Sequence, residues 1–356
     1  MSKNSKFFMG CSCILLLLIS PLSWSIEPLR LLNWEDYLSP ELIEAWEASN
    51  VPLQEVYFDS DQDRDAIIVN SERHHIDVVV IDEIVAHRFG SNGKFLKLDE
   101  TILPSLRHID PFWRERCGEY AMPYLWGTLG IAYRNDKLAL PPSSWADLLS
   151  PVESVRGHIA MLNDYTDMLA PALFQLGYDL NTENRAHLKQ AFELLKQQAD
   201  SVLTYEYALT YAKHGDKLQD LHMAAVYGGD QHTLNELDGD QGRWEYVVPA
   251  DGTVLWVDCL AIIKESSKQK QSIALLNYLN TPSVAAKNAV YNRIATTNHA
   301  AVTYMDKAEA EELGMQALKR LQNKAQLYRE LSNQNVALRL KIINAIMNIH
   351  ESKNSN

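Results

Sequence analysis

The 356-residue chain reads as an α/β protein, and three features carry that expectation. Short apolar, β-branched runs alternate with helix-period segments along most of the length, the pattern of mainly parallel sheets covered by helices. The length suits about two domains. No Gly/Ser-rich or Pro-rich linker divides the chain, which fits two lobes joined by strands that cross from one to the other. Internal repeats and low-complexity tracts are absent, apart from the polar end Glu351 to Asn356, where disorder is expected.

In order, Lys3 and Lys6 precede the apolar run Cys11 to Leu22 and the small residues Ser23 and Ser25, so residues 1–25 form a secretory signal cut after Ser25. The run is too short for a good transmembrane helix. Cys11 has no apolar region upstream, which argues against lipid attachment. A strand entering Asn33 is expected from Leu29-Arg30-Leu31-Leu32, and further strands from Val51 to Phe58, Asp77 to Ile81, Thr128 to Tyr133, His158 to Leu162, Met223 to Tyr227, Tyr246 to Pro249 and Val254 to Ile263. Ser39-Pro40-Glu41 opens a helix reaching about Ser49, with proline at its first position. A second follows Thr182, with Leu188, Ala191, Phe192 and Leu195 on one face. Thr281-Pro282 opens a third, and Leu338, Ile342, Ala345, Ile346 and Ile349 form an apolar stripe on a last one.

The formal net charge is −13; loss of residues 1–25 removes two lysines and no acids, leaving 31 Lys+Arg against 46 Asp+Glu, or −15. Such a surface argues against nucleic acid and favours cationic ligands only weakly. Cys117 and Cys259 alone remain after cleavage. A chain of this length buries enough core without a bridge, so a free buried pair is expected ahead of a disulfide.

The candidate site starts at Asn33-Trp34-Glu35-Asp36-Tyr37, where two carboxylates stand between two aromatic rings at a strand end. Open α/β sheets bind ligands at that edge. A carboxylate accepts charge-assisted hydrogen bonds from an ammonium group, while a ring face attracts the cation and covers its methylenes. A solvated turn is the plain alternative for this stretch alone. The pairing recurs, however, at Asp82-Glu83, at Asp164 and Asp167, at Tyr227 before Asp230, and at Trp256 with Asp258, so that five acid-bearing strand ends could converge on one cleft. Trp256 and Asp258 stand at i and i+2 on a strand and share a face. Asp164 and Asp167 could equally cap a helix.

Other segments point away from catalysis and metals. Asp59-Ser60-Asp61-Gln62-Asp63 begins like a calcium loop, but Arg64 and Asn70 stand where glycine and a bidentate glutamate belong, so a capped helix start is expected. His74 and His75 are adjacent, with no third ligand at useful spacing. P-loop, Gly-x-Ser-x-Gly and Gly-x-Gly-x-x-Gly motifs are missing, and Cys259 has no histidine near it in sequence. Neither a cofactor nor a catalytic residue is expected.

Nearly the whole mature chain resembles the periplasmic polyamine-binding proteins of spermidine and putrescine uptake. The resemblance is carried by Asn33-Trp34-Glu35-Asp36-Tyr37, Pro123-Tyr124-Leu125-Trp126-Gly127-Thr128, Ser144-Trp145-Ala146-Asp147-Leu148, Leu176-Gly177-Tyr178 and Trp256-Val257-Asp258-Cys259-Leu260-Ala261-Ile262. It implies a two-lobed type II solute-binding protein with a hinge of crossing strands: residues 26–134 and 259–302 in the N-terminal lobe, 135–258 and 303–350 in the other. It also implies ligand contacts at Trp34, Asp36, Tyr37, Asp164, Asp167, Trp256 and Asp258, with Tyr227 where the uptake proteins carry tryptophan. The departures are Glu35 for a small hydroxyl residue, Asp82-Glu83 for serine and threonine, and Ile84 and Ile294 for aromatic residues. Asp164, Asp167 and Asp258 are thus expected to accept ammonium groups, with Trp34, Tyr37, Tyr227 and Trp256 as an aromatic box and Glu35, Asp36, Asp82 and Glu83 behind them. Capture for an inner-membrane ABC permease by a periplasmic monomer is the leading expectation. A branch resembling the norspermidine sensor would instead report to a membrane-bound signalling enzyme. An exported amine-acting enzyme is the competing class.

Overall fold

The structure is a computed structural model and describes residues 27–354 apart from 59, 316, 317, 322 and 323, so the expected signal segment lies outside the described residues. Its strands are β1 (Leu29–Asn33), β2 (Leu53–Tyr57), β3 (Val78–Asp82), β4 (Ala121–Arg134), β5 (Ile159–Ala160), β6 (Val202–Thr204), β7 (Met223–Tyr227), β8 (Trp244–Val247), β9 (Thr253–Ile262), β10 (Ala295–Thr296) and β11 (Ala325–Gln326). The central order is β2-β1-β3-β9-β4-β7-β5-β6. Both outer parts are parallel: β1 lies between β2 and β3, and β5 between β6 and β7. Between them β9 and β4 run antiparallel to each other and to their neighbours β3 and β7.

These two long strands make the protein two-lobed. Residues of β4 through Trp126 and of β9 from Leu255 onward pack into one core with Leu31, Val79, Trp113 and Leu276. From Leu129 onward β4 enters a second core with Ile159, Met168, Leu188, Met223 and Val254. The strands pass from one core to the other where Gly127 pairs with Trp256. A Cβ on Gly127 would stand 2.4 Å from Cζ2 of Trp256, so only glycine lets the indole lie across this strand.

Local signals work as expected at several helix ends. Pro40–Glu47 and Pro282–Asn292 start on proline, and Arg185–Gln198 buries Leu188, Ala191 and Leu195. Ser60 caps Asp61–Val69 by accepting the Asp63 amide at 3.2 Å. The last helix, Asn333–Asn354, docks Ile342, Ile343 and Ile346 in the second core.

Three expectations are corrected. The final helix continues through Asn354, so residues 351–354 are ordered helix; polarity at a chain end does not stop a helix already nucleated and docked upstream. Cys117 and Cys259 form a disulfide rather than a free pair, joining the end of helix Pro111–Cys117 to β9. Whether a core suffices without a bridge says nothing about proximity, and the fold sets their Cα atoms 6.0 Å apart, within bridging range. The strand expected from Thr128 is the second half of β4, which runs 14 residues through Pro123.

Candidate ligand-binding site

Strand β9 is the spine of the site. Its alternation sends Trp256 and Asp258 to one side, while Val257 and Cys259 are buried on the other. Trp256 is half-buried, its indole Nε1 enclosed without a hydrogen-bond partner. Tyr37 donates its hydroxyl to Asp258 Oδ2 at 2.5 Å. The Tyr227 ring meets the indole edge-on, with centroids 6.2 Å apart and planes at 84°, and donates its hydroxyl to Asp167 Oδ2 at 2.5 Å. Tyr328 donates to the second oxygen of Asp167. Two tyrosine-held carboxyls therefore stand by one tryptophan, Asp258 two residues along β9 from Trp256 and Asp167 by way of the Tyr227 ring that meets its indole.

The supports are local. Asp164 accepts the amide of Asp167 at 2.7 Å and the amide and hydroxyl of Thr166 at 2.8 and 2.6 Å, a turn that places Asp167. Asp230 accepts the Tyr227 amide at 2.9 Å and the Tyr207 hydroxyl at 2.5 Å, fixing the backbone that presents Tyr227. At the end of β3, Asp82 caps helix Glu83–Ser91 through the Val85 amide at 2.8 Å and lies directly across the ladder from Asp258. Glu83 is 8% exposed, and its Oε1 is enclosed with no partner.

Loss of hydration, and after it the crowding of these acids, raises their proton affinity. Asp167 is pushed up to about 8, first by loss of hydration and then by Asp164, against the pull of the two tyrosine hydroxyls. Burial, then Asp82, takes Glu83 to about 8. Asp258 is raised to about 7 by loss of hydration and by Asp82, with the Tyr37 hydrogen bond opposing. At neutral pH such carboxyls hold protons that an incoming cation would release, because a nearby positive charge favours the ionised form.

The expected site residues thus divide. Tyr37, Asp167, Tyr227, Trp256 and Asp258 form one constellation, with Asp164 behind Asp167. Trp34, half-buried, packs on Phe58, with ring centroids 4.2 Å apart. Glu35 and Asp36 are exposed, Asp36 in a left-handed turn with φ 59°. Asp82 is engaged by Arg64 at 2.9 Å. Sequence reasoning missed Tyr328, which reaches Asp167 from 161 residues away, and Arg64, whose only signal was the Asp61-x-x-Arg64 spacing along a helix. Among the described residues, no group of three or more His, Cys, Asp or Glu is placed to hold a metal ion, and no helix is long and apolar enough to cross a membrane.

Two α/β lobes on crossing strands, with polar groups converging at the crossing, define a solute-binding protein. Residues 44–315 match the family described as bacterial extracellular solute-binding protein, and the chain belongs to that family. Its members bind solutes and are not enzymes. The chain is 35% identical to the norspermidine sensor of Vibrio cholerae over 90% of its own length and 89% of that protein. It is 26% identical to the putrescine-binding periplasmic protein SpuD of Pseudomonas aeruginosa, covering 81% and 83% of the two chains. Against the spermidine/putrescine-binding periplasmic protein of Escherichia coli the identity is 24%, over 76% and 77%. The crystal structure of the spermidine/putrescine ABC transporter substrate-binding protein PotD of Streptococcus pneumoniae superposes with a TM-score of 0.78 at 21% identity, over 91% of this chain and 99% of that one, a likeness of fold.

Proposed function

We propose that this protein binds a linear polyamine in the periplasm, between its lobes, and reports occupancy to a membrane-bound signalling receptor. The observation that carries the binding reading is the pair of tyrosine-held carboxyls, Asp258 and Asp167, by Trp256. One ammonium would be accepted at Asp258, near Glu83 with its unpartnered Oε1, and another at Asp167. The face of Trp256 would cover the methylenes between them and attract the nearer charge. Because one pair hangs mainly on the first core and the other on the second, a ligand bridging both would favour the lobes together, in proportion to its preference for that state.

Sensing is favoured as the output by the 35% relative, whose printed role is that of a sensor. Capture for an inner-membrane ABC permease is the second reading, favoured by the putrescine- and spermidine-binding relatives at 24–26%. Calorimetric titration with spermidine, followed by recovery of the amine unchanged, tests binding; conversion of the amine would return the enzyme class. Deleting the gene and measuring uptake of labelled spermidine separates the outputs. Unchanged uptake with altered surface attachment supports sensing, and abolished uptake supports import.

A further inference from the structure

Arg64 stands in the fold as a cation already captured. Its side chain is 3% exposed on helix Asp61–Val69. Nη1 donates to Asp61 Oδ1 at 2.8 Å, Nε and Nη2 to Asp65 Oδ1 at 3.2 and 3.1 Å, and Nη2 to Asp82 Oδ2 at 2.9 Å. The guanidinium carbon lies 5.9 Å from the centroid of Phe58, the ring that packs on Trp34. Carboxylates on several sides and an aromatic face on another are what a desolvated ammonium group requires. Asp82 sits across the β3–β9 ladder from Asp258, where paired Cα atoms are about 5 Å apart. The captured guanidinium is therefore one carboxylate removed from the acid at one end of the proposed site. Arg88 adds a second positive charge on the far side of Asp65.

We infer that Arg64 is a specificity-determining residue: it fills, from within the chain, the place beyond Asp258 that a further ammonium of a longer polyamine would take, and so limits the length of ligand the site accepts. The inference rests on the polyamine-binding reading above. A linear chain laid from Asp167 past Trp256 to Asp258 would bring its next ammonium toward Asp82, meeting a fixed guanidinium where an acid alone would have been favourable. Asp82 on this view holds Arg64 and contributes little to ligand directly, whereas exposed acids such as Glu35 affect mainly the approach of ligand. Discrimination then comes from a repulsive element, the usual means by which a site rejects a near relative of its ligand.

The test is calorimetry with putrescine, spermidine and spermine on the full mature protein, for wild type, Arg64→Gln, Asp82→Asn and the double variant. Asparagine at 82 keeps the cap on the Val85 amide and removes only the charge. Arg64→Gln is expected to shift the ratio of affinities toward spermine by about tenfold or more, since acids freed of their internal partner become acceptors. The double variant should lose that gain, because the coupling runs through one carboxylate. Asp82→Asn alone should change spermidine affinity by less than about fivefold, the range of a charge that does not touch the ligand. Spermidine binding with the same length preference in Arg64→Gln overturns the inference and leaves the polyamine reading standing. Should Arg64→Gln fail to fold, a loss of more than about thirtyfold in Asp82→Asn, the cost of removing a direct partner, overturns it independently. No binding of any polyamine by wild type overturns both.

Discussion

Asp167→Asn replaces a buried carboxyl by its neutral isostere while leaving acceptors and donors for the Tyr227 and Tyr328 hydroxyls. If Asp167 accepts an ammonium, the substitution removes one partner of an enclosed charged hydrogen bond, which costs about 2–5 kcal/mol, or roughly 30-fold to several-thousand-fold in affinity. That full loss is expected at pH 8.5, above the value of about 8 to which burial and Asp164 push this group. At pH 6, about two units below it, wild type must first release a proton from Asp167. At ~1.4 kcal/mol per unit this offsets up to about 2.7 kcal/mol of the advantage, so the gap between wild type and variant should shrink by up to about a hundredfold, and close where the full loss is only ~2 kcal/mol. The ligand's ammonium groups repel one another, so spermidine begins to lose a proton below the ~10.4 of an isolated lysine-like amine; that change is common to wild type and variant and cancels in the gap between them. Calorimetry of both proteins with spermidine at pH 6, 7 and 8.5 reads the effect, and repeating it in buffers of different ionisation enthalpy counts the protons released. A gap that stays constant across the series, or an unchanged affinity at pH 8.5, refutes the assignment of Asp167 as a titrating acceptor.

Trp256→Ala should weaken spermidine binding by about 2 kcal/mol for a desolvated cation–π contact, with lost coverage of methylenes adding to it. Gly127→Ala should weaken binding without touching ligand, since its Cβ meets the indole at 2.4 Å and must displace it; tight binding by both folded variants would make Trp256 a core residue only. Asp258→Asn should cost far more than Glu35→Gln, because Asp258 is hydrogen-bonded by Tyr37 in the site while Glu35 is exposed, and equal small losses in calorimetry would contradict that ranking. The ligand-free protein should lose stability as pH rises from about 4 to about 8. Asp167, Glu83, Asp258 and Asp230 have folded values raised to about 8, 8, 7 and 6, so in that window the folded chain binds more protons than the unfolded one. Urea midpoints at pH 5 and pH 8.5 measure this; a higher midpoint at pH 8.5 without ligand would sink it.

What the sequence determined by itself is local or periodic. Alternating apolar runs specify the strands that build the two lobes, proline and serine mark helix starts at Pro40, Asp61 and Pro282, and the i, i+2 spacing of Trp256 and Asp258 on β9 puts both on one face. The pairing of acid with ring was legible too, although Trp256 and Asp258 stand inside β9 and not at its end. Which acid meets which partner was decided only by tertiary structure. Tyr37 finds Asp258 across 221 residues and Tyr328 finds Asp167 across 161, separations over which no periodicity is informative. Asp36 and Tyr37 are neighbours in an identical motif context, yet the left-handed backbone at Asp36 turns it to solvent while Tyr37 faces the site. The same holds for Cys117 and Cys259, joined because a helix end packs on β9, and for Arg64, which in sequence only argues against a calcium loop until the fold brings Asp82 to it. Charge and spacing say which groups are available; only packing decides which of them lose water together, and that loss of water sets both their proton affinity and their use.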